Sequence, residues 1–332
     1  MAWDWMLKNY LGFISQEEKD GVYERVKSDC RPSNEFFIML VIAAVIATIG
    51  LLTNSVAVII GAMLVSPLLT PVIGMSLGAV KGDFALFRTA LEAEAKGAVL
   101  VIGLVAALTL VVPNASITSE ILLRTHPTPL DLLVALASGA AAAYALSKKN
   151  ISATLPGVAI AVAVLPPLSV AGIGFALRQP AVALGGTLTF LANIVAINFA
   201  ASAVFWLMEF APKWSLKGKD EAASKIKTSA VLLLIILLPL AWIMWDSLST
   251  AGTKAKIGQV LSQQIEGIEG AKLSESGFAY GRDGALLVTA SIDSPKEITQ
   301  EKAGEMKIAL EKNLNAEVEL LLTVNEVRLV RQ

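Results

Sequence analysis

"NSVAVIIGAMLVSPLLTPVIGMSLG", residues 54–78, decides how the rest of the chain is read. It is apolar enough for a bilayer, yet it carries Pro67 and Pro71, four apart, among Gly61, Gly74 and Gly78. Proline inside a helix removes a backbone hydrogen bond and crowds the turn before it. In hydrocarbon no water replaces the lost bond. A membrane segment interrupted in its middle needs a reason.

The surroundings make the membrane assignment firm. Of 332 residues, 55% are hydrophobic and 17% charged, against roughly 25% charged in a soluble chain. The apolar runs are confined to 36–248, which divides the chain into a polar N-terminal segment 1–35, a transmembrane domain 36–248 and a polar domain 250–332. The first apolar run begins at Phe36, too far in for a cleaved signal. One cysteine, Cys30, and one histidine, His126, leave no disulfide and no Cys- or His-based metal site, so no metal or other cofactor is expected. A net charge of −1 gives no reason to expect nucleic acid as a partner.

A span needs about 20 apolar residues. Seven candidates follow, at about 36–53, 56–78, 90–112, 130–146, 155–177, 182–208 and 229–248. The third has only Gly97–Val112 free of charge, so it must recruit "ALEAEAKG" upstream. With the N-terminus inside, the inner segments hold fifteen Lys and Arg and the outer loops only Arg124 and Arg178. Basic residues stay on the cytoplasmic side, which predicts a multi-pass protein of the cell (inner) membrane with residues 250–332 outside.

The opening stretch has a counterpart 100 residues on, in "LPGVAIAVAVLPPLSVAGIGFAL", residues 155–177. Pro67 falls on Pro167, Gly74 on Gly174, and Leu68, Ile73 and Leu77 on identical residues, so both segments are expected to break at the same place. The loop charges run the two segments in opposite directions, which predicts an inverted 3+3 repeat. In carriers built this way, paired broken helices meet near the midplane and their freed backbone groups line the substrate site. The competing reading is architectural, since Pro-kinked helices can serve packing alone.

Residues 46–83, "IATIGLLTNSVAVIIGAMLVSPLLTPVIGMSLGAVKGD", resemble the hallmark stretch of the bacterial and archaeal membrane proteins grouped as domain of unknown function 389, the uncharacterised hydrophobic domain family. Gly61, Ala62, Met63, Pro67, Pro71, Gly74, Gly82 and Asp83 carry the resemblance, which extends over about 36–208. It implies a multi-spanning helical fold and assigns no catalytic residue.

Ionisable groups at membrane depth are costly and usually functional. Arg88, Glu92 and Lys96 stand four apart, a strip of opposite charges on one helix face. Glu94 lies about 200° round from Glu92 and has no partner of that kind, which makes it the candidate proton- or cation-handling carboxylate. The bland alternative is an interfacial helix start with snorkelling Arg and Lys. In the sixth span, Asn193 aligns with Ala93 and joins the candidates, with interhelical packing as its default role. Ser66, Thr70 and Ser169 set hydroxyls beside Pro67, Pro71, Pro166 and Pro167, either to serve loosened carbonyls or to touch a ligand. The small-residue fourth span, "LLVALASGAAAAYAL", is expected inside the bundle, and the bulky seventh at its periphery.

Residues 1–35, with Trp3, Trp5, Tyr10 and Phe13, suit an amphipathic helix pair on the membrane surface or a cap on the bundle. Residues 250–332 read as helix, hairpin, helix and strand, a small α+β domain of ferredoxin-like flavour whose second helix opens at Ser294–Pro295. Strand 316–330 is a candidate edge, and exposed edges invite pairing, so a homo-oligomer is expected. The expected function is a transporter of an ion or small solute across the lipid bilayer, proton-coupled in one form. An oligomeric channel or a sensor–scaffold is the alternative. No hydrolase or protease motif is present, so an enzyme is not expected.

Overall fold

The structure is a computed structural model that describes residues 14–125, 127–148, 154–211 and 227–228, scattered positions between 231 and 250, and 252–266, 268, 270–280, 286–295, 298–314 and 316–326. Trp3, Trp5, Tyr10, Phe13, His126, most of the seventh candidate span and the turn between the two hairpin strands lie outside the described residues. The chain divides into two compact units, Met1–Met244 and Trp245–Gln332.

The first unit is helical. Helix α1 (Gln16–Asp29) opens on a capping box between Ser15 and Glu18. There follow α2 (Asn34–Leu52), α3 (Val56–Val65), α4 (Leu69–Lys81), α5 (Phe84–Val111), the short α6 (Ser119–Leu122), α7 (Pro129–Leu146), α8 (Thr154–Ala176) and α9 (Pro180–Leu207). Four of them, α2, α5, α7 and α9, are long and apolar enough to cross a membrane. The pair α3–α4 adds a fifth if taken as one span, bent by 56° at its break. Large apolar side chains such as Ile38, Val99, Leu110 and Leu184 lie exposed on the outer faces, the surface a bilayer covers and water does not.

The third span recruits upstream residues as the charge-free run required. Helix α5 begins at Phe84 and is 28 residues long. Its start explains two of the motif positions. Gly82 ends α4 in the left-handed region, at φ 66°, which glycine adopts without a Cβ penalty. Asp83 Oδ1 then accepts the Leu86 amide at 3.0 Å and caps α5. Glycine and aspartate therefore turn the chain from one helix straight into the next.

Helix α4 is the centre of the unit, buried without interruption from Pro71 to Val80. It packs on α1, α5 and α9. Helix α7 departs from the expectation of an interior position. Gly139 closes against the Ile197 carbonyl of α9, but Leu130, Leu133 and Val134 on another face are exposed. Small residues set one contact stripe here; they do not bury the whole helix.

The second unit holds helix α10 (252–265), β1 (Lys272–Tyr280), β2 (Leu286–Ser294), α11 (Gln300–Leu314) and β3 (Val318–Glu326). The sheet order is β1-β2-β3, with β1–β2 antiparallel and β2–β3 parallel. Alternate residues of β2 are buried, and Val288 and Ile292 pack with Ile257, Leu261, Met306 and Leu310. The other face carries a polar ladder, in which Asn325 Nδ2 donates to Asp293 Oδ1 at 2.9 Å and to Ser291 Oγ at 3.1 Å. One expectation needs correcting. Ser294 ends β2 and does not cap the second helix, which starts at Gln300 with the Thr299 hydroxyl accepting the Lys302 amide. Alternation carries the strand on to Ser294, the residue that the adjacent Pro295 suggested as a helix cap.

A candidate site at the break between α3 and α4

Helix α3 ends at Val65, Ser66 is extended, and α4 starts at Leu69. Pro67 sits in the break, and Pro71 lies in the first turn of α4, where a missing N–H breaks no helical bond. The second proline pair behaves differently. Helix α8 runs unbroken through Pro166 and Pro167, so the expectation of two broken helices fails for this segment. The physical reason lies on α9. Pro167 has no N–H for the Ala163 carbonyl one turn back, and Asn193 Nδ2 donates to that carbonyl at 2.7 Å instead. An imported donor keeps α8 continuous.

The directions of the helices fix the depth of each residue. Helix α1 lies across one end of the unit. Tyr23 Oη donates to Asp83 Oδ2 after α4, Arg25 Nη2 to the Leu146 carbonyl at the end of α7 at 3.3 Å, and Lys19 Nζ to the Glu209 carbonyl after α9 at 3.1 Å. So α4, α7 and α9 run toward α1 and α5 runs away from it. Helix α8 also runs away, since Gly174 meets Ala183 at one end of the α8–α9 contact and Ala163 meets Asn193 at the other.

Three contacts then bring Glu94 and Asn193 level. Gly74 faces Ala90 and Leu68 faces Gly97 along the antiparallel α4–α5 pair, which sets Glu94 opposite the first turn of α4. Ser76 Oγ donates to Asn198 Oδ1 at 2.9 Å between the parallel α4 and α9, and five residues back along both lie Pro71 and Asn193. Gly172 meets Ile102 and Val105 between the parallel α5 and α8, and nine residues back from Gly172 lies Ala163, at the depth of Glu94. Thr189 stands one turn beyond Asn193, near the depth of Ser66. With α4 and α8 each packed against both α5 and α9, these four residues fall within about two helical turns of depth, some 11 Å.

Their chemistry sets them apart. Glu94 is only 3% exposed and Asn193 4%. Among the described residues, five buried side-chain oxygens have no hydrogen-bond partner: Ser66 Oγ, both carboxyl oxygens of Glu94, Thr189 Oγ1 and Asn193 Oδ1. Buried polar groups are nearly always paired, which makes this set, within about two helical turns of depth, the candidate site. Nearby polar residues show the ordinary case. Asn198 is satisfied at both ends, accepting from Ser76 and donating to the Ile194 carbonyl at 2.9 Å.

The other candidates divide cleanly. Glu92 is exposed and paired with Arg88 at 2.8 Å and Lys96 at 4.0 Å, on the opposite side of α5 from the site. Ser169 Oγ donates to the Leu165 carbonyl at 3.0 Å, serving the backbone beside the proline pair. The Thr70 carbonyl accepts the Cys30 thiol at 3.3 Å. Thr189 was not among the sequence candidates, although its i, i+4 spacing from Asn193 put both on one face of α9. The Tyr23–Asp83 clasp carried no local signal, since sixty residues separate its partners.

The described helices include members long and apolar enough to cross a membrane, and the unpartnered carboxyl of Glu94 is buried among them near the break between α3 and α4. Residues 63–199 match the family described as Domain of unknown function (DUF389), the same family that residues 46–83 resemble. It is also 29% identical to an uncharacterized protein of Methanocaldococcus jannaschii over 224 residues, 66% of this chain and 68% of the relative. Neither description assigns an activity.

Proposed function

We propose that the protein is a membrane carrier for an ion or small solute, with its site at the α3–α4 break and Glu94 as the coupling carboxylate. One observation carries this reading. Glu94 is buried within α5 with both oxygens unpartnered, level with the first turn of α4 just past the break. An isolated carboxyl in that position is costly, and a function that loads and unloads it explains its presence. The opposite directions of α3–α4 and α8 support the inverted-repeat part of the reading, as does the alignment of Pro67 with Pro167. The distribution of Lys and Arg supports a cytoplasmic α1 end and an outer C-terminal domain. That domain, whose hairpin–helix–strand succession prompted the ferredoxin-like reading, serves assembly or sensing in this scheme. Its edge strand β3, with Leu321 and Val324 exposed, favours a homo-oligomer.

The test is flux in proteoliposomes, screened over ions and small metabolites under imposed ion gradients. Glu94→Gln keeps the shape and removes the charge, so gradient-driven flux should vanish while folding and assembly persist. Glu92→Gln should retain most of the flux. A carrier saturates and passes no single-channel current; unitary currents would replace it with a channel. Normal coupled transport by Glu94→Gln would end the coupling role.

A further inference from the structure

The partnerless atoms at the site share a property that the carrier reading does not use. All five are oxygens, and none of the unserved groups is a nitrogen donor. The orientation of Asn193 is the most telling part. Its Nδ2 is committed to the Ala163 carbonyl that Pro167 leaves unserved, which turns Oδ1 away as a bare acceptor. Thr189, one turn along the same face of α9, adds a hydroxyl oxygen. Glu94 adds a carboxyl from α5 at the depth of Asn193. Beside them, α3 ends at Val65, and the last four carbonyls of a helix have no intrahelical partner, so the break adds backbone acceptors and the negative end of a helix dipole.

We infer that Glu94, Asn193 and Thr189, with Ser66 and the α3 terminus, bind a dehydrated monovalent cation of about sodium's size. A buried set of oxygens that holds one carboxylate and no cationic side chain repels anions, and a small positive ion suits carboxylate, amide and hydroxyl oxygens alike. The charge count selects a monovalent ion. Glu94 is the only acid in the cluster, and no group of three His, Cys, Asp or Glu side chains occurs among the described residues, whereas divalent calcium is usually gathered by several carboxylates. The ionisable neighbours on α5, Arg88, Glu92 and Lys96, are outside the cluster and exposed. The inference rests on the carrier reading only in sharing its site; it names the ion that the coupling carboxylate holds.

The test is equilibrium binding, separate from transport. The purified full-length protein in detergent is titrated with NaCl, KCl or LiCl against choline chloride at constant ionic strength, and thermal unfolding is followed. A ligand that binds only the folded state raises the unfolding temperature saturably, so at least one small cation should do so and choline should not. Thr189→Val removes an oxygen that no protein group uses. In choline it should unfold at or above the temperature of the parent, and in the small cation its titration midpoint should move up by about tenfold, the effect of roughly one lost ligand. Glu94→Gln should lose the cation response altogether. If no small cation differs from choline, or if both substitutions leave the midpoint where it was, the site is wrong. A cation response without any gradient-driven flux would retain the site and sink the carrier. Proton-driven flux with no cation response would do the reverse.

Discussion

Asn193 Nδ2 donates to the Ala163 carbonyl at 2.7 Å, and Ala163 is the residue whose normal helical donor would have been the N–H of Pro167. A side chain on α9 thus takes the place of a backbone group on α8, and the same bond fixes which way the Asn193 oxygen faces. Helix continuity and site chemistry depend on one amide.

This relationship can be measured by a double-mutant cycle. Asn193→Ala leaves the Ala163 carbonyl buried and unpaired, which should destabilise the protein by about 1–3 kcal/mol. Pro167→Ala restores the local N–H, so in that background the same substitution should cost less by about 1 kcal/mol or more. Thermal or denaturant unfolding of the four proteins gives the coupling. Strict additivity would mean that Asn193 does not substitute for the missing backbone donor.

The clasp of α1 onto the bundle predicts the behaviour of Cys30. Burial, and after it the Asp29 charge, pushes this thiol up to about 12, so it should resist maleimide at pH 7.5 until the protein unfolds. Tyr23→Phe removes the hydroxyl that donates to Asp83, and labelling should then speed up by about tenfold, from the loss of a hydrogen bond to a charged group at a partly exposed site. Equal labelling rates in the two proteins would show that the hydroxyl does not hold α1 down.

The same clasp has a defined pH window. Burial by itself would raise the Asp83 carboxyl, but hydrogen bonds from Tyr23 and the Leu86 and Ala85 amides, with the Lys27 charge, hold it below its usual range. A depressed carboxyl stabilises fully above its unfolded value, about 3.9, and loses that contribution as pH falls through the lower folded value. Tyr23 is raised, first by burial and then by Asp83, so its contribution is complete below about 10 and is lost only at higher pH. Hydrogen exchange of α1 should therefore show constant protection, corrected for intrinsic rates, from about pH 5 to 9. A transition near neutrality would point to a different anchor.

Orientation is a third question with a direct readout. A reporter fused after Gln332 should be active only outside the cytoplasm, and one placed in 212–226 only inside. The reverse result would overturn the orientation, and a cytoplasmic C-terminus with a cytoplasmic 212–226 segment would overturn the inverted repeat as well.

Much of this architecture was legible locally. Apolar runs at about 36–53, 90–112 and 130–146 located α2, α5 and α7, whose starts the Ser33, Asp83 and Thr128 side chains cap in the structure. The two glutamates also separated correctly, because helical periodicity put Glu94 on the far side of α5 from the Arg88–Glu92–Lys96 strip.

What periodicity could not decide is whether a proline breaks a helix. Both segments share a proline at 67 and 167 and a glycine at 74 and 174, and by local rules both should break. The outcome turned on whether another helix supplies a donor at the vacated carbonyl. On α8 that donor comes from Asn193, thirty residues away from Ala163, while around Pro67 the chain is extended and two helices meet at an angle. Backbone propensities and apolar spacing are properties of neighbouring residues, so the chain order alone was enough to set them. The partner of a freed carbonyl, and the absence of any partner for Glu94, arise only when distant helices pack, and the tertiary structure decided both.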